Sequence, residues 1–119
     1  MMKLLRWGYR VVDAGHGHMF DLLVYKPGHP FKRVQVKASR SVEIDPRKKR
    51  TTAYRFSTGR GVGSKTGYSA EDIDVLALFA QDIERVVFRP VDGKTTLRVS
   101  ITGFLEENAK ETAERIFGF

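Results

Sequence analysis

Three polar residues with side chains suited to acid, base and metal chemistry lie on two strand-like runs of the chain. The runs, residues 19–25 and 31–37, are joined by a five-residue loop that contains two prolines and one glycine, which favour turns. If the loop closes a symmetric hairpin, Asp21 lies opposite Gln35, with Cβ atoms about 4.5–5.5 Å apart. Lys37 follows Gln35 by two positions and projects from the same face, because side chains alternate along a strand. The spacing predicts a carboxylate, an amide and an amine on one patch of a sheet.

This patch offers the oxygen ligands that a hard divalent cation such as Mg²⁺ or Mn²⁺ prefers. Asp21 supplies a charged oxygen, Gln35 supplies a neutral carbonyl oxygen, and the backbone carbonyl of Val36 supplies another. Lys37 is placed to orient or deprotonate an attacking water, or to neutralise charge that develops on a phosphate. We therefore predict Asp21, Gln35 and Lys37 as catalytic residues, and Asp21, Gln35 and Val36 as metal ligands. Val34 and Val36 are expected to point the other way, into the core.

Two other interpretations fit the same pattern. One is a half-exposed strand with a polar face, which antiparallel strands often show. The other is a plain salt bridge between Asp21 and Lys37. The surroundings of Asp21 favour a site, because it lies between Phe20 and the apolar residues 22–24. A carboxylate is costly there unless it is paired or bound to a metal.

The composition predicts a polyanionic partner. Lys and Arg number 21 against 14 Asp and Glu, a net charge of +7, and the pI is near 9.9, which is typical of nucleic-acid-binding domains. A chain of 119 residues is expected to form one domain over residues 1–119. The absence of cysteine excludes disulfides, thiolate zinc sites and cysteine nucleophiles. With no apolar run long enough for a signal peptide or a membrane span, we expect a cytoplasmic protein without a membrane partner.

Basic residues are concentrated after the proposed site along the chain. They continue into a glycine-rich segment, residues 58–67, of the kind that can lie close to a phosphate backbone. We expect these side chains to contact DNA phosphates, which positions a duplex without reading its sequence; a solvated charged turn is the alternative. The predicted nucleic-acid-binding residues are Arg40, Arg47, Lys48, Lys49, Arg50, Arg55, Arg60 and Lys65.

The elements that must position these residues alternate between strands and helices. In the hairpin register, Leu23 faces Arg33 and Tyr25 faces Phe31. Asp92 and Gly93 are a turn signal for a second hairpin. The predicted elements are a short helix at Leu4–Trp7 ended by Gly8, strands at Tyr9–Asp13 and Thr52–Ser57, a helix at Ser69–Gln81, hairpin strands at Glu84–Val91 and Thr95–Ile101, and a closing helix at Phe104–Phe117. This order predicts an α/β or mixed α+β sheet with helices packed on it.

The ordered set of Asp21, a hairpin and then Gln35-Val36-Lys37 resembles the PD-(D/E)XK nuclease superfamily. It is most similar to the PD-(D/E)-QXK branch, where Gln replaces the second acid, a branch that includes cyanobacterial tRNA-intron homing endonucleases and related phage and bacterial proteins. The resemblance covers nearly the whole chain. It implies a restriction-endonuclease-like central mixed sheet flanked by helices, with a first helix that is short or truncated. It also implies that Asp21 is the main metal ligand and Lys37 the catalytic lysine.

The resemblance implies a metal-dependent DNA endonuclease that hydrolyses phosphodiester bonds in a duplex or junction with Mg²⁺ or Mn²⁺. Cutting both strands implies a homodimer or a higher symmetric assembly. We expect such a protein to act inside a cell, either as a cytoplasmic protein of that cell or as a protein encoded by a phage or virus. One alternative is a non-catalytic nucleic-acid-binding protein with a degenerate nuclease fold. The other is a nuclease like the Holliday-junction resolvases, which normally keep an acid where Gln35 stands.

One departure from the family pattern bears on activity. The family usually places a Glu in its first helix, beside the metal site, whereas no acid precedes Asp13 here. We expect either that the chain is truncated at its start, that a neighbouring subunit supplies the acid, or that cleavage is impaired. A single charged ligand beside a neutral amide predicts weak Mg²⁺ affinity.

Overall fold

The computed structural model describes residues 2–13, 21–40, 42, 53–57, 59–60, 66–67, 73–93 and 96–118. In chain order the elements are α1 Met2–Arg6, β1 Arg10–Asp13, β2 Leu22–Tyr25, β3 Lys32–Ser39, β4 Ala53–Ser57, β5 Gly59–Arg60, β6 Thr66–Gly67, β7 Val75–Ala80, β8 Arg85–Pro90, β9 Thr96–Ser100, α2 Ile101–Glu106 and α3 Ala109–Phe117. None of the helices in these ranges is long and apolar enough to cross a membrane.

A five-stranded sheet in the order β1-β2-β3-β7-β8 forms the centre of the fold. Only β3 and β7 run parallel, whereas the other neighbouring strands are antiparallel. The sheet is therefore mixed, and helices pack on it, as the sequence predicted. The short first helix is also confirmed: α1 ends at Arg6, and Gly8 follows in the left-handed conformation at a φ of +89°, which glycine adopts at little cost.

The predicted hairpin register is confirmed. Leu23 pairs with Arg33 in the β2–β3 ladder. Beyond the ladder, the rings of Tyr25 and Phe31 pack with their centroids 4.7 Å apart. Because the loop fixes the register, every side chain of β3 is assigned to one of the two faces of the sheet.

The two faces of the sheet are covered by different elements. Alternate residues of β7 belong to two separate clusters, as expected for a strand that is buried on both sides. The first face packs against α1 and α3 through Leu4, Tyr9, Leu22, Val24, Val34, Val75, Ala77, Phe88, Ala113 and Phe117. The second face packs against β4, β9 and α2 through Tyr54, Phe56, Ile73, Leu76, Leu78, Ala80, Val87, Val99 and Phe104.

The helix predicted at Ser69–Gln81 is wrong over its described part. Residues 75–80 form β7 instead, and Ser69 lies outside the described residues. A short run of apolar residues fits a buried strand as well as a helix, and length alone rarely separates the two. The parallel pairing with β3 decides the outcome, because it buries both faces of this segment.

The C-terminal third also differs from the prediction. Both strands of the second predicted hairpin form, as β8 and β9, but β9 pairs with β4 in a separate two-stranded ribbon. The single predicted helix over Phe104–Phe117 is two helices, because Glu107 is extended and Asn108 caps α3 by accepting a hydrogen bond from the Glu111 amide at 3.1 Å.

Contacts of the Glu107 side chain hold this break between α2 and α3 against β8. Arg89 donates two hydrogen bonds to the carboxylate, at 2.7 and 2.9 Å, and the Thr112 hydroxyl donates a third at 2.9 Å. Burial by itself raises the pKa of the Glu107 carboxyl, but these bonds and the charges of Arg89 and Arg115 outweigh it, and the net pKa is lowered. The helix break is therefore fixed by a charged, hydrogen-bonded contact to the sheet.

Candidate active site

The backbone of Asp21 extends the hairpin by one residue. Its N–H donates to the Val34 carbonyl at 2.9 Å, just before β2 begins at Leu22. Leu22 faces the α1 and α3 side of the sheet, so the Asp21 side chain points to the other face. The carboxylate lies at the surface there, on the side that β4 and β9 cover further along the sheet.

Two donors from β3 hold the Asp21 carboxylate. The Gln35 side-chain Nε2 donates to Oδ2 at 3.0 Å, and the Val36 backbone N–H donates to the same oxygen at 3.0 Å. Bonds to an ionised carboxylate are stronger than bonds between neutral groups. The orientation of Asp21 is thus set by β3, and neither of these two bonds uses its second oxygen, Oδ1.

The groups joined by these two hydrogen bonds also carry three further oxygens. Since Gln35 points Nε2 at Asp21, its carbonyl Oε1 is the other branch of the same amide. The N–H and C=O of one strand residue point to the same edge, so the Val36 carbonyl lies on the edge where its N–H meets Asp21. Asp21 Oδ1, Gln35 Oε1 and Val36 O are hard oxygen donors of the type that Mg²⁺ and Mn²⁺ prefer.

These three donors carry a single formal charge. Within the described part of the chain, no group of three or more His, Cys, Asp or Glu side chains is positioned to hold a metal. Water and substrate phosphate oxygens would have to fill the remaining coordination positions, as is usual for Mg²⁺ in phosphoryl-transfer sites. The chemistry of these donors therefore suits a hard divalent ion, and the weak affinity expected from the sequence stays a prediction.

Lys37 lies on β3 next to Leu78 of β7, two positions beyond Gln35. The strand period places it on the same face as Gln35, and its side chain is half-buried. Val34 points to the opposite face and is fully buried. Val36 shares that face, as predicted, but its side chain is 36% exposed and is not buried in the core. The five-residue α1 leaves an apolar groove beside it.

A network between Arg33 and Asp74 positions β3 against β7. The Arg33 backbone N–H donates to Asp74 Oδ2 at 2.7 Å, while its guanidinium contacts both carboxylate oxygens at 3.1 and 3.2 Å. Burial alone raises the pKa of Asp74, but the hydrogen bonds and charge of Arg33, with the charge of Lys32, outweigh it and lower the net pKa. This contact therefore holds the start of β3, the strand that carries Gln35 and Lys37, in place.

Replacing Asp74 by Asn is expected to lower the free energy of unfolding by about 1–2 kcal/mol at pH 7, since both partners are 30% exposed and partly screened. Because the folded-state pKa of Asp74 is lowered, the ionised form stabilises the fold above the unfolded-state pKa of about 4. This stabilisation is lost as the pH falls through the folded-state pKa. Urea unfolding at pH 7 and pH 3 measures the effect, and an equal deficit at both pH values would contradict it.

The predicted basic residues are placed in several parts of the fold. Arg40 is exposed directly after β3, Arg55 is exposed on β4, and Arg60 belongs to β5. Arg47–Arg50 and Lys65 lie outside the described residues. Their predicted contacts with DNA stay predictions.

Sequence reasoning missed Arg98. On the β4–β9 ribbon it pairs directly with Arg55, and both side chains are exposed. Two cationic side chains that face each other on an exposed ribbon form a basic surface of the kind that contacts phosphates. The signal in the sequence is the alternation of Arg98 with Leu97 and Val99, but the partner strand is 43 residues away and no local pattern identifies it.

Comparisons with known proteins agree with this architecture. The sequence model of a family described as PD-(D/E)XK endonuclease matches residues 1–117. The fold is similar to that of a bacterial homing endonuclease, I-Ssp6803I, with a TM-score of 0.66 over 99% of this chain and 78% of that chain, at 21% identity. At this identity the likeness shows the fold alone. No match was found among curated proteins.

Proposed function

Since the chain belongs to the PD-(D/E)XK endonuclease family, we propose that it hydrolyses phosphodiester bonds of DNA with the help of Mg²⁺ or Mn²⁺. The observation that carries this proposal is the Asp21 carboxylate, which Gln35 and Val36 hold by one oxygen. The proposed ligands are Asp21 Oδ1, Gln35 Oε1 and the Val36 carbonyl. When bound there, the ion would polarise a phosphate oxygen and lower the pKa of water.

The protein's own groups then act on the phosphate. Lys37 projects from the same face and is proposed to take a hydrogen-bonding position on the attacking water or on the phosphate oxygen that gains charge. Water oxygen forms a new bond to phosphorus, the opposite ester bond breaks, and the leaving oxygen takes up a proton. Gln35 keeps the carboxylate of Asp21 oriented, so that the reacting groups meet with little reorganisation.

Because the site has a single carboxylate, its binding of the divalent ion is expected to depend on bound DNA. Because Gln35 is neutral, the ligand set holds a divalent ion weakly, and phosphate oxygens of bound DNA would contribute part of the coordination. We propose that the ion and DNA bind cooperatively. Cleavage of both strands requires two such sites, which a symmetric dimer or higher assembly would provide.

Incubation with supercoiled plasmid tests this function directly. Nicked or linear product is expected with Mg²⁺ or Mn²⁺ and is expected to disappear when a chelator removes the ion. A protein that binds the plasmid but cuts it with neither ion would support the alternative, a DNA-binding protein with a degenerate nuclease fold. This alternative is tested because α1 has no acidic residue in its first turn.

The paired arginines of the ribbon supply a second prediction. Replacing both Arg55 and Arg98 by Gln is expected to weaken DNA binding similarly for all sequences and to reduce the slope of log affinity against log salt by about 2, roughly one per lost phosphate contact. Arg115→Gln controls for the loss of one exposed positive charge outside the ribbon, because Arg115 lies on α3, which packs on the other face of the sheet. Fluorescence anisotropy with a labelled duplex over a range of salt concentrations measures both quantities. An unchanged slope would show that the pair makes no phosphate contact.

A further inference from the structure

A second basic site lies at the β8 edge of the central sheet. A cavity of about 430 Å³ opens there between α1, β8 and the junction of α2 with α3. Four cationic side chains from these three parts of the fold line it: Lys3, Arg6, Arg85 and Lys110. It is distinct from the Asp21 site, because β8 is separated from β3 by β7, which places the two sites at least roughly 10 Å apart at normal strand spacing.

The charge inside the cavity is not balanced by the residues that line it. Glu107 is the single acid in the lining, and its carboxylate already receives two hydrogen bonds from Arg89 and one from Thr112. The four cations and the one acid of the lining therefore sum to a net charge of 4 − 1 = +3. Holding like charges at one concave surface costs free energy, which a bound anion would offset.

The nine-residue helix α3 also begins at this cavity. Its first residues, Ala109 and Lys110, belong to the lining. The first amides of a helix have no carbonyl partner within the helix and carry the positive end of its dipole. Asn108 accepts a hydrogen bond from the Glu111 amide, whereas the two amides before it belong to the lining residues Ala109 and Lys110. Such amides favour anions, and they add to the four side chains rather than defining the site alone.

We propose that this cavity binds a phosphate group, either from the backbone of a nucleic acid or from a free nucleotide. Arginine suits phosphate because its planar guanidinium donates two parallel hydrogen bonds. Two arginines and two lysines carry more positive charge and more hydrogen-bond donors than a single bound carboxylate would need. They match the higher charge and the several acceptor oxygens of phosphate. This proposal does not depend on whether the Asp21 site cleaves DNA.

Trp7 provides a direct measurement. It lines the cavity and is the single tryptophan of the chain, so its fluorescence reports occupancy without a label. Titration with inorganic pyrophosphate, and separately with a short DNA oligonucleotide, is carried out on the full chain with a chelator and no divalent metal. Cleavage is then excluded from the readout. We expect a saturable change in Trp7 emission with at least one of these probes.

Exposed positions allow the test to be made specific. Arg85→Gln and Lys110→Gln should each weaken binding at least about fivefold without disturbing the core, because both side chains are exposed. Arg10→Gln is the matched control: it removes an exposed positive charge from β1, at the opposite edge of the sheet. It should leave the titration unchanged.

The outcomes separate the possible sources of the phosphate. Saturable binding of pyrophosphate that depends on Arg85 supports a site for free phosphates or nucleotides. Dependence on Arg85 for the oligonucleotide alone supports a backbone contact. The proposal is overturned if neither probe changes Trp7 emission, or if Arg10→Gln weakens binding as much as Arg85→Gln.

Discussion

Replacing Asp21 by Asn is expected to slow DNA cleavage by about 10²–10⁴-fold. Asp21 is the only charged group in the proposed ligand set, and a metal ion commonly contributes several kcal/mol of transition-state stabilisation, with a factor of ten for each 1.4 kcal/mol. The substitution keeps the size of the side chain and leaves an oxygen to accept from Gln35 and Val36, which hold Asp21 now. The fold should therefore persist while the charge is lost.

The matched control is Asp13→Asn. Asp13 is an exposed carboxylate on β1 that pairs with Leu22, so it lies on the face opposite to Asp21. Single-turnover cleavage at saturating protein, with DNA binding measured in chelator, separates chemistry from affinity. Asp21→Asn should bind DNA as well as the wild type or slightly better, because a negative charge is removed. If both variants cut at the wild-type rate, Asp21 is not a metal ligand.

The site hairpin was predictable because it is local. Five loop residues between two alternating runs set the register, and the register alone brings Asp21 next to Gln35. No distant segment is needed for this contact. The hydrogen bond from the Val36 amide to Asp21 follows from the same register. Sequence reasoning gave a role only to the carbonyl of Val36.

Non-local pairing explains what the sequence could not predict. Residues 75–80 form a strand because β3 lies beside them in the fold, not because of a pattern within the segment. The pairing of Arg55 with Arg98 and the basic cavity next to α3 arise in the same way, from segments far apart in the chain. Local turn signals at Asp92–Gly93 favoured a hairpin, but the better match for β9 was β4. Tertiary context outweighed local preference in each case.

The largest stability effect is expected from Phe104→Ala, which should lower the free energy of unfolding by about 3–5 kcal/mol. Phe104 is 2% exposed. Its ring packs on Tyr54 and Phe56 with centroid distances of 5.0 and 5.9 Å. These two aromatic residues flank Arg55 on β4, so Phe104 connects α2 to the strand that carries the proposed DNA contact. A loss of this size is a large fraction of the 5–15 kcal/mol typical of a domain.

Leu105→Ala supplies the comparison, because Leu105 is the next residue of α2 and is 51% exposed, and a substitution there should cost under about 1 kcal/mol. Urea unfolding followed by circular dichroism and by Trp7 fluorescence measures both variants. Trp7 packs on Phe88, in the cluster on the opposite face of the sheet, so its fluorescence reports the unfolding of that face. If the Phe104→Ala variant loses circular dichroism at a lower urea concentration than it loses Trp7 fluorescence, the ribbon detaches before the sheet unfolds. That variant should also bind DNA more weakly, since Arg55 and Arg98 would lose their fixed positions. Equal stability losses for the two variants would contradict the role of Phe104 as the anchor of the ribbon.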